Sequence, residues 1–404
     1  MDQGSKGVLY PAPSERFKDY QVSQTKGYPN MLMSKRTVLY INPGPAYWPH
    51  SPLFQDEFME LSRIFKGYIF TTSPRTETFP IGDFIYLSMK SRQRKVDRLK
   101  FIFFCIWNGI KILFREGKFD LVATYDPLMT GLIGLAVSRI HKSKFGLEVN
   151  GVYTSPAQWI DGPNNLEKRV KKVIYPIMMR FVLKHAEGIR LLFENQIDSF
   201  KNVVQKKVIH TFPPFVPTDR FKNLREEKEV FFSGIPFKLK GVDILIEAFK
   251  KIASKYPDWK LKILGWYPNP EELIDMIEGH PQIYHHKAVP YEEMAQHIGA
   301  CAIFVLPSRS EAMGRVLVEA MAAGKPRIGS NVEGIPSVIH DGIDGLLFET
   351  ENADDLAEKL DLLMGNEELR KKLGKAGEIR AKQEFAKSIY FENITNFYNE
   401  VLEK

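Results

Sequence analysis

Cysteine is scarce in this chain, since Cys105 and Cys301 are the only two among 404 residues. They lie far apart in apolar segments, which argues against a disulfide-stapled fold and predicts two core thiols in a reducing, cytoplasmic compartment. Metal-ligand spacing is also missing: the adjacent His285 and His286 would point to opposite faces of a strand. The sequence therefore predicts neither a disulfide nor a metal centre.

Long uncharged apolar runs are missing as well. No stretch of about 18 such residues occurs, which argues against a transmembrane span, and the first residues lack the charged-then-apolar layout of a signal peptide. Residues 1–34 are instead polar and rich in Gly, Pro and Ser, which is typical of a loosely ordered extension. A length of 404 residues predicts two domains.

Positive charge is concentrated in the first half of the chain. Residues 1–225 contain 34 Lys and Arg against 19 Asp and Glu, a net charge of +15, whereas residues 226–404 carry −8. This asymmetry predicts that the first half meets an anionic partner. An anionic membrane surface and a phosphorylated acceptor both satisfy it. Nucleic acid is not expected, because no known nucleic-acid-binding motif occurs.

The most informative stretch reads as strand, loop and helix. The apolar run 302–306 ends in a proline, which predicts a short buried strand. Gly314 then opens a helix that runs to about Ala323 and ends before Gly324. The unpaired N–H groups and the positive dipole end at such a helix start favour an anion such as a diphosphate.

Two glutamates occupy this stretch. Glu311 precedes the helix, and Glu319 lies inside its apolar body. A buried carboxylate needs a partner, and the vicinal hydroxyls of a ribose would suit it because one carboxylate can accept from both. A structural ion pair of Glu319 with Arg315 or Arg309 is the alternative. The spacing alone leaves both open.

These residues carry a resemblance to a known family. Glu311, seven residues and Glu319, in the setting PSRSEAMGRVLVEAMAAGKP, resemble the E-x7-E signature of family-4 retaining glycosyltransferases of the GT-B fold. The segments 334–336 (GIP) and 341–347 (DGIDGLL) also resemble that family's pattern. The resemblance covers about residues 230–390 and is weak before about 210.

The resemblance implies an α/β protein with two Rossmann-like, doubly wound domains facing each other across a cleft. A C-terminal helix should cross back to the first domain. The expected boundaries are 35–213 together with 388–404 for an acceptor-side domain, and 214–387 for a domain that binds the nucleotide sugar.

The resemblance also implies a reaction: metal-independent, retaining transfer of a sugar from a UDP- or GDP-sugar to a hydroxyl of a glycan or lipid-linked acceptor, with no other cofactor. Glu311 would hold the donor sugar and Glu319 the ribose. Lys240, assisted by Lys238, and the amides of 313–315 would hold the diphosphate. The expected donor-binding residues are Gly44, Gly234, Lys238, Lys240, Gly265, Glu311, Ala312, Met313, Gly314, Arg315, Val316 and Glu319.

Some positions depart from the family's pattern. Ile235 stands where the family has Arg, and Asn150 where it often has His, although the Asn150 amide could still hydrogen-bond a donor hydroxyl. Asp126, at a strand end, points to the cleft or merely forms a turn. The expected catalytic residues are Glu311, Lys240, Asn150 and Asp126. The departures keep open a binding or scaffold protein that has lost activity; an epimerase or an inverting transferase on the same fold is the other alternative.

Two helices of the basic half suggest contact with a membrane. Residues 167–186 are basic on one side, apolar elsewhere and interrupted by Pro176, which is typical of a helix attached to a membrane surface; a core helix with solvated lysines is the alternative. The helix 94–116 has a basic start and a very apolar middle, typical of core and secondarily of membrane contact. A proline-rich linker is expected at 208–221. Further strands are expected at 36–42, 68–73, 119–127, 145–149, 189–192, 229–233, 261–268 and 283–290, and a helix is expected after the strand at 189–192.

Overall fold

The computed structural model describes residues 35–42, 51–92, 95–160, 166–267 and 269–404. Gly44, from the expected donor-binding set, lies outside these residues. The chain alternates short apolar strands with helices, and this alternation builds parallel sheets because a parallel connection needs a crossover element. Among the described residues the strands form two separate sheets.

The first sheet has eight strands in the spatial order β3-β4-β2-β1-β5-β6-β7-β8, all parallel except for the antiparallel β3–β4 pair. Their bounds are β1 Arg36–Ile41, β2 Phe65–Ser73, β3 Thr78–Ile81, β4 Phe84–Lys90, β5 Leu121–Thr124, β6 Lys144–Glu148, β7 Gly188–Leu191 and β8 Val208–Thr211.

The second sheet has six parallel strands in the order β11-β10-β9-β12-β13-β14. Their bounds are β9 Glu229–Ser233, β10 Lys260–Leu264, β11 Ile283–His286, β12 Ile303–Leu306, β13 Arg327–Ser330 and β14 Leu346–Phe348. The two Rossmann-like sheets confirm the α/β fold class.

Helices connect the strands and cover the sheets. In chain order they are α1 Pro52–Leu61, α2 Lys95–Glu116, α3 Met129–His141, α4 Leu166–His185, α5 Val242–Ile252, α6 Pro270–Ile277, α7 Tyr291–Ala300, α8 Arg315–Ala322, α9 Ile335–Val338, α10 Ala353–Gly365, α11 Glu367–Glu384 and α12 Lys387–Glu403. In the described part of the chain, none of them is both long enough and apolar enough to cross a bilayer.

The last helix returns to the first sheet, as expected. Helix α12 contacts β6, β7 and β8, and its apolar face belongs to the core of that sheet. Gly188 permits this contact, because a Cβ there would lie 2.1 Å from a Val401 methyl carbon. The buried side chains of α12 are Tyr390, Phe391, Ile394, Phe397, Tyr398 and Val401.

Three local features differ from the sequence-based expectation. Strands β3, β4, β13 and β14 were not foreseen; β3 is short and half exposed, so it carries little apolar signal, and β14 has only three residues. Strand β8 lies inside the segment expected to be a linker. It was missed because its four residues alternate between half-buried and exposed and a proline-rich stretch follows them. The helix expected after β7 is a 3-10 segment, Asp198–Val203. Both cysteines are buried and unpaired.

Candidate active site

Three neighbouring strands of the second sheet, β10, β9 and β12, end at one edge, and their loops touch there. A Cβ on Gly265, after β10, would lie 3.0 Å from the carbonyl oxygen of Gly234, after β9. Gly241 has φ 67°, and a Cβ there would lie 1.9 Å from the carbonyl oxygen of Pro307, after β12. Glycine is therefore required at 241 and favoured at 265 for these loops to approach one another, at the edge where parallel α/β sheets bind ligands.

Arg309 holds the loop after β12 against α5. Its guanidinium donates to both carboxylate oxygens of Asp243, at 2.7 and 2.8 Å, and to Glu351 at 2.7 Å. Burial opposes its charge, but the hydrogen bonds to these two acids raise the pKa of Arg309 above its usual value. Because its charge is used in this way, Arg309 does not form the alternative ion pair with Glu319. It is a structural clamp on the loop that carries Glu311.

Lys240 and Glu311, both expected in the site, meet there. Lys240 Nζ lies 2.6 Å from Glu311 Oε2, and the side chains are only 17% and 15% exposed. The Glu311 backbone is fixed as well: its N–H donates to the Glu333 carboxylate at 2.9 Å, and its carbonyl accepts from the Gly334 N–H at 3.0 Å. The ammonium and carboxylate groups are thus held side by side on two loops and neutralise each other in this structure.

The start of helix α8 lies next to Glu311 in the chain. Gly314 is its N-cap residue with φ 78°, and a glycine has no side chain with which to cap the helix. Gly334 approaches from β13, because a Cβ there would lie 1.8 Å from the Ala312 carbonyl oxygen. Met313 is buried, whereas Ala312 and Val316 are half-buried. The cap residue therefore offers no side chain that would compete with an anion for the N–H groups of the first turn.

Glu319 lies within α8 and is 2% exposed. The Tyr291 hydroxyl, from the start of α7, donates to Glu319 Oε1 at 2.9 Å. Burial raises the pKa of the Glu319 carboxyl, and the charge of Arg315 together with the Tyr291 hydrogen bond partly counters this. Of the alternative ion pair between Glu319 and Arg315, the structure shows the electrostatic effect of the Arg315 charge on the Glu319 carboxyl. Tyr291 was missed by sequence reasoning, since nothing in its local pattern marks it.

Comparison with known proteins identifies the family. Residues 216–380 match the family model described as glycosyl transferases group 1. An uncharacterized glycosyltransferase from Haemophilus influenzae is 31% identical over 278 residues, covering 67% of this chain and 74% of that protein. The chain belongs to the glycosyl transferases group 1 family. A second family member, the uncharacterized glycosyltransferase MJ1178 of Methanocaldococcus jannaschii, is 37% identical over 177 residues, which span 43% of this chain and 47% of that protein.

Solved structures of similar shape support the same fold for this family member. The sucrose-phosphate synthase of Thermosynechococcus elongatus superposes with a TM-score of 0.77 at 16% identity, covering 91% of this chain and all of that one. Anabaena HepE in complex with UDP-glucose superposes with a TM-score of 0.69 at 13% identity, covering 90% of this chain and 99% of that one. At such identities the likeness shows the GT-B fold alone.

The expected catalytic residues of the first domain are engaged in local hydrogen bonds. The Asp126 carboxylate accepts from the Leu128 N–H at 2.8 Å and from the Thr130 hydroxyl, which is the geometry of a turn at the start of α3. Burial raises the pKa of Asp126, which these hydrogen bonds partly offset. The Asn150 amide donates to the Tyr125 carbonyl at 3.2 Å and accepts from the Arg190 guanidinium at 2.9 Å.

Two further expectations concern cations. Lys238, expected to assist Lys240, is half exposed and lies 3.0 Å from the Glu272 carboxylate. Ile235, at the position of the family's Arg, is 54% exposed. Within the described ranges, no three His, Cys, Asp or Glu side chains are arranged to hold a metal ion.

One contact that the sequence did not reveal joins the two domains beside the site. Gln158, from the loop after β6, donates its amide N–H to the Ser310 hydroxyl at 3.3 Å. The Ser310 hydroxyl donates in turn to the Glu333 carboxylate at 2.6 Å. Because Ser310 precedes Glu311, the first domain reaches the loop that carries Glu311. The partners are 152 residues apart in the chain, so no local pattern could identify them.

Proposed function

We propose that this chain transfers a sugar, with retention of configuration, from a UDP- or GDP-sugar to an acceptor hydroxyl. The observation that supports this best is the Lys240–Glu311 pair beside the start of α8, where the cap residue is Gly314, with buried Glu319 in the same helix. In this reaction the bond between the anomeric carbon and the phosphate oxygen breaks, and a bond to the acceptor oxygen forms. The nucleoside diphosphate leaves and draws the acceptor's proton.

Negative charge develops on the departing diphosphate, and it must be stabilised more strongly in the transition state than in the ground state. Lys240, assisted by Lys238, and the N–H groups of 313–315 would do this without a metal ion. When the diphosphate arrives, Lys240 exchanges Glu311 for phosphate oxygens. That exchange releases the Glu311 carboxylate to accept hydrogen bonds from the donor sugar. Glu319 would accept from the ribose.

The same proposal assigns donor binding to one domain and acceptor binding to the other. Residues 214–387 would bind the donor, with Gly234 and Gly265 allowing close approach of the phosphates and sugar. Residues 35–213 with 388–404 would bind the acceptor, a glycan or a lipid-linked glycan. Asn150 would contact a donor hydroxyl from across the cleft, and Asp126 would line the edge of the first sheet. Closure of the domains would exclude water during transfer.

Attachment to the cytoplasmic face of a membrane completes the proposal. Helices α2 and α4 expose one row of large apolar side chains each, which we call the α2–α4 apolar stripe. Its members are Leu99, Phe103, Trp107 and Phe114 on α2 and Leu166, Val170, Val173, Ile177 and Phe181 on α4. Both helices pack against α3, which places them on the same side of the first sheet. Lysine and arginine side chains from both helices accompany the stripe, a composition suited to an anionic lipid surface.

A donor screen tests the proposed function. The full chain is titrated with UDP- and GDP-linked sugars, and donor hydrolysis is then followed by NMR. We expect saturable binding of one nucleotide class and release of the sugar with its original anomeric configuration. An inverted product would overturn the retaining mechanism. Absence of nucleotide-sugar binding would overturn the whole proposal, and binding without turnover in the presence of glycan and lipid acceptors would favour a scaffold protein.

A further inference from the structure

A pocket of about 250 Å³ lies in the first domain, apart from the Lys240–Glu311 pair. It is formed between the loop that follows β6 and the middle of α4. Its lining includes Tyr153, Pro156, Trp159, Lys172, Tyr175 and Pro176. None of these residues belongs to the expected donor-binding set.

Local chain chemistry shapes this pocket. Pro156 opens a short 3-10 turn, Pro156–Trp159. Gly151 allows the Tyr153 ring to fold back, because a Cβ there would lie 3.1 Å from that ring. On the other wall, Pro176 lies inside α4 and has no N–H to donate to the carbonyl oxygen of Lys172, one turn earlier. The Lys172 carbonyl therefore lacks the backbone donor that a residue other than proline at position 176 would supply.

The lining combines aromatic faces with one positive charge. The rings of Trp159 and Tyr175 lie 5.5 Å apart between centroids, and Lys168 Nζ donates to the Trp159 carbonyl at 2.7 Å, which joins the loop to α4. Lys172 is the only charged side chain among the described lining residues, and no described carboxylate pairs with it. Apolar walls with one convergent cation suit a small ligand that carries a phosphate.

The residues that line the pocket adjoin two features already described in the chain. Gln158, between the lining residues Pro156 and Trp159, contacts Ser310, next to Glu311. On α4, the lining residues Lys172 and Pro176 are followed in sequence by Val173 and Ile177 of the α2–α4 apolar stripe. A ligand with a polar head in the pocket could thus extend an apolar tail along α4. The head would face the loop that holds the donor.

We propose that this pocket binds the glycosyl-phosphate head of a lipid-linked acceptor, with Lys172 on the phosphate and the aromatic rings against the sugar. The lipid chain lies along the α4 part of the stripe. This inference rests on the proposed glycosyl transfer and specifies its acceptor class. It also explains why a helix of the acceptor-side domain combines exposed apolar and basic side chains.

Three probes separate the parts of the ligand: dodecyl phosphate diester-linked glucose, dodecyl glucoside without phosphate, and glucose 1-phosphate without the chain. Binding to the nucleotide-free full chain is measured by calorimetry below the micelle concentration of each amphiphile. We expect the complete probe to bind at least roughly tenfold more tightly than either part, since a charge-assisted hydrogen bond and a buried chain each contribute that much. Equal binding of all three, or no saturable binding, would overturn the proposal.

Variants then test the assignment. Lys172→Gln should weaken the complete probe by roughly tenfold and leave dodecyl glucoside unaffected, because only the phosphate contact is lost. Lys184→Gln, an exposed lysine of the same helix, is the matched control and should bind like the wild type. Trp159→Leu should weaken both glucose-bearing amphiphiles. If Lys172→Gln binds the complete probe as tightly as Lys184→Gln does, Lys172 does not bind the phosphate and the assignment is wrong.

Nucleotide-sugar binding is measured separately on the same proteins. If the probes bind as expected but no nucleotide sugar does, the proposed function fails and the pocket remains a lipid-phosphate site. If nucleotide sugars bind and the probes do not, the acceptor class is wrong and the transferase proposal stands. Circular dichroism and thermal unfolding of each variant establish that the fold is intact before binding is compared.

Discussion

Glu319 is a buried carboxylate whose charge is only partly compensated by its neighbours in the protein. The carboxylate is almost fully buried, yet Tyr291 and Arg315 together offset only part of the cost that burial imposes on its charge. A ribose diol would supply two further donors to the same group. With a nucleotide bound in the proposed way, the carboxylate would therefore be better stabilised than without it, which is the condition for a contribution to binding.

Glu319→Gln should weaken binding of the cognate nucleoside diphosphate by about 1.5–3 kcal/mol, roughly 10- to 100-fold, because a neutral amide is a poorer acceptor for the diol. Calorimetry gives the affinity, and the 2′-deoxynucleotide serves as a second probe whose loss should be smaller. Glu358→Gln, an exposed acid on α10, is the control. Unchanged affinity in Glu319→Gln would assign this residue to structure alone.

Substitutions of the two members of the Lys240–Glu311 pair should change nucleoside diphosphate affinity in opposite directions. Lys240→Met should weaken nucleoside diphosphate binding roughly tenfold or more without changing nucleoside binding, since only the phosphates lose a charged donor. Glu311→Gln should instead tighten the nucleoside diphosphate, because Lys240 no longer has to leave a carboxylate, while turnover of the sugar donor falls.

Affinities for nucleoside and nucleoside diphosphate, together with kcat for the donor, measure these effects. Lys250→Met is the matched control, because Lys250 forms a similar 2.6 Å pair with Glu278 on the surface of the same domain. Weaker diphosphate binding in Glu311→Gln would contradict the exchange of partners that we propose for Lys240.

At the scale of elements, α2 and α4 are unusual because each buries one face and exposes a second apolar row. Phe103 and Phe114 are 74% and 85% exposed, and Val173 and Ile177 are 64% and 62% exposed. On α2, Lys111 lies 5.1 Å from the centre of the Trp107 ring, so cation and aromatic side chains are interleaved. A helix that needed only to cover its sheet would not require this second row.

Replacing Phe103 and Trp107, or Val173 and Ile177, by Ser should lower partition onto phosphatidylglycerol-containing vesicles by at least about tenfold, since each large apolar side chain contributes about 1.5–3 kcal/mol when fully buried. Co-sedimentation measures the bound fraction, and thermal unfolding should stay unchanged because the replaced side chains are exposed. Ile379→Ser, 47% exposed on α11, is the control. Binding that is insensitive to these changes and to salt would contradict membrane attachment through the stripe.

At the scale of the whole molecule, the two ends of the described chain are joined inside the first domain. The Tyr390 hydroxyl of α12 donates to the Glu57 carboxylate of α1 at 2.8 Å, across 333 residues of sequence. The Tyr398 hydroxyl donates to the Glu148 carboxylate at 2.7 Å, and Glu148 also pairs with the buried Arg190 at 2.7 Å. The return of α12 therefore completes a polar network within an otherwise apolar core.

This network makes stability depend on pH. Burial raises the pKa of Glu57 from 4.5 to about 7, against the hydrogen bond from Tyr390. The folded carboxyl thus keeps its proton over an interval in which the unfolded one has released it, so stability falls as pH rises from 4.5 to about 7. The loss amounts to about 3 kcal/mol at most.

Glu57→Gln removes this dependence, because an amide stays neutral. We expect the variant to gain thermal stability relative to the wild type as pH rises from 4.5 to about 7. Unfolding midpoints measured across that interval give the difference, and Glu60→Gln, a partly exposed acid on the same helix, is the control. A difference that shrinks as pH rises would show that Glu57 is ionised in the folded protein.

The strand, loop and helix around Glu311 could be predicted from sequence because they depend on near neighbours. The apolar run before Pro307, the glycine at position 314 and the helix stop at Gly324 each act within a few residues. The same holds for the spacing of Glu311 and Glu319, which indicated the family that the comparisons then established. Strands β3 and β8 escaped prediction because both are half exposed and lack an apolar run.

The sequence by itself determined the fold class, the order of strand, loop and helix around Glu311, and the acids and lysines proposed for the site, because periodicity and turn chemistry are local. Only the tertiary structure decided which of them meet. Lys240 and Glu311 are 71 residues apart, Tyr291 and Glu319 are 28 apart, and Gln158 reaches Ser310 across 152. Such contacts depend on which loops lie at the same edge of a sheet and on how closely glycines let those loops approach one another. A local sequence pattern does not encode contacts between residues so far apart in the chain.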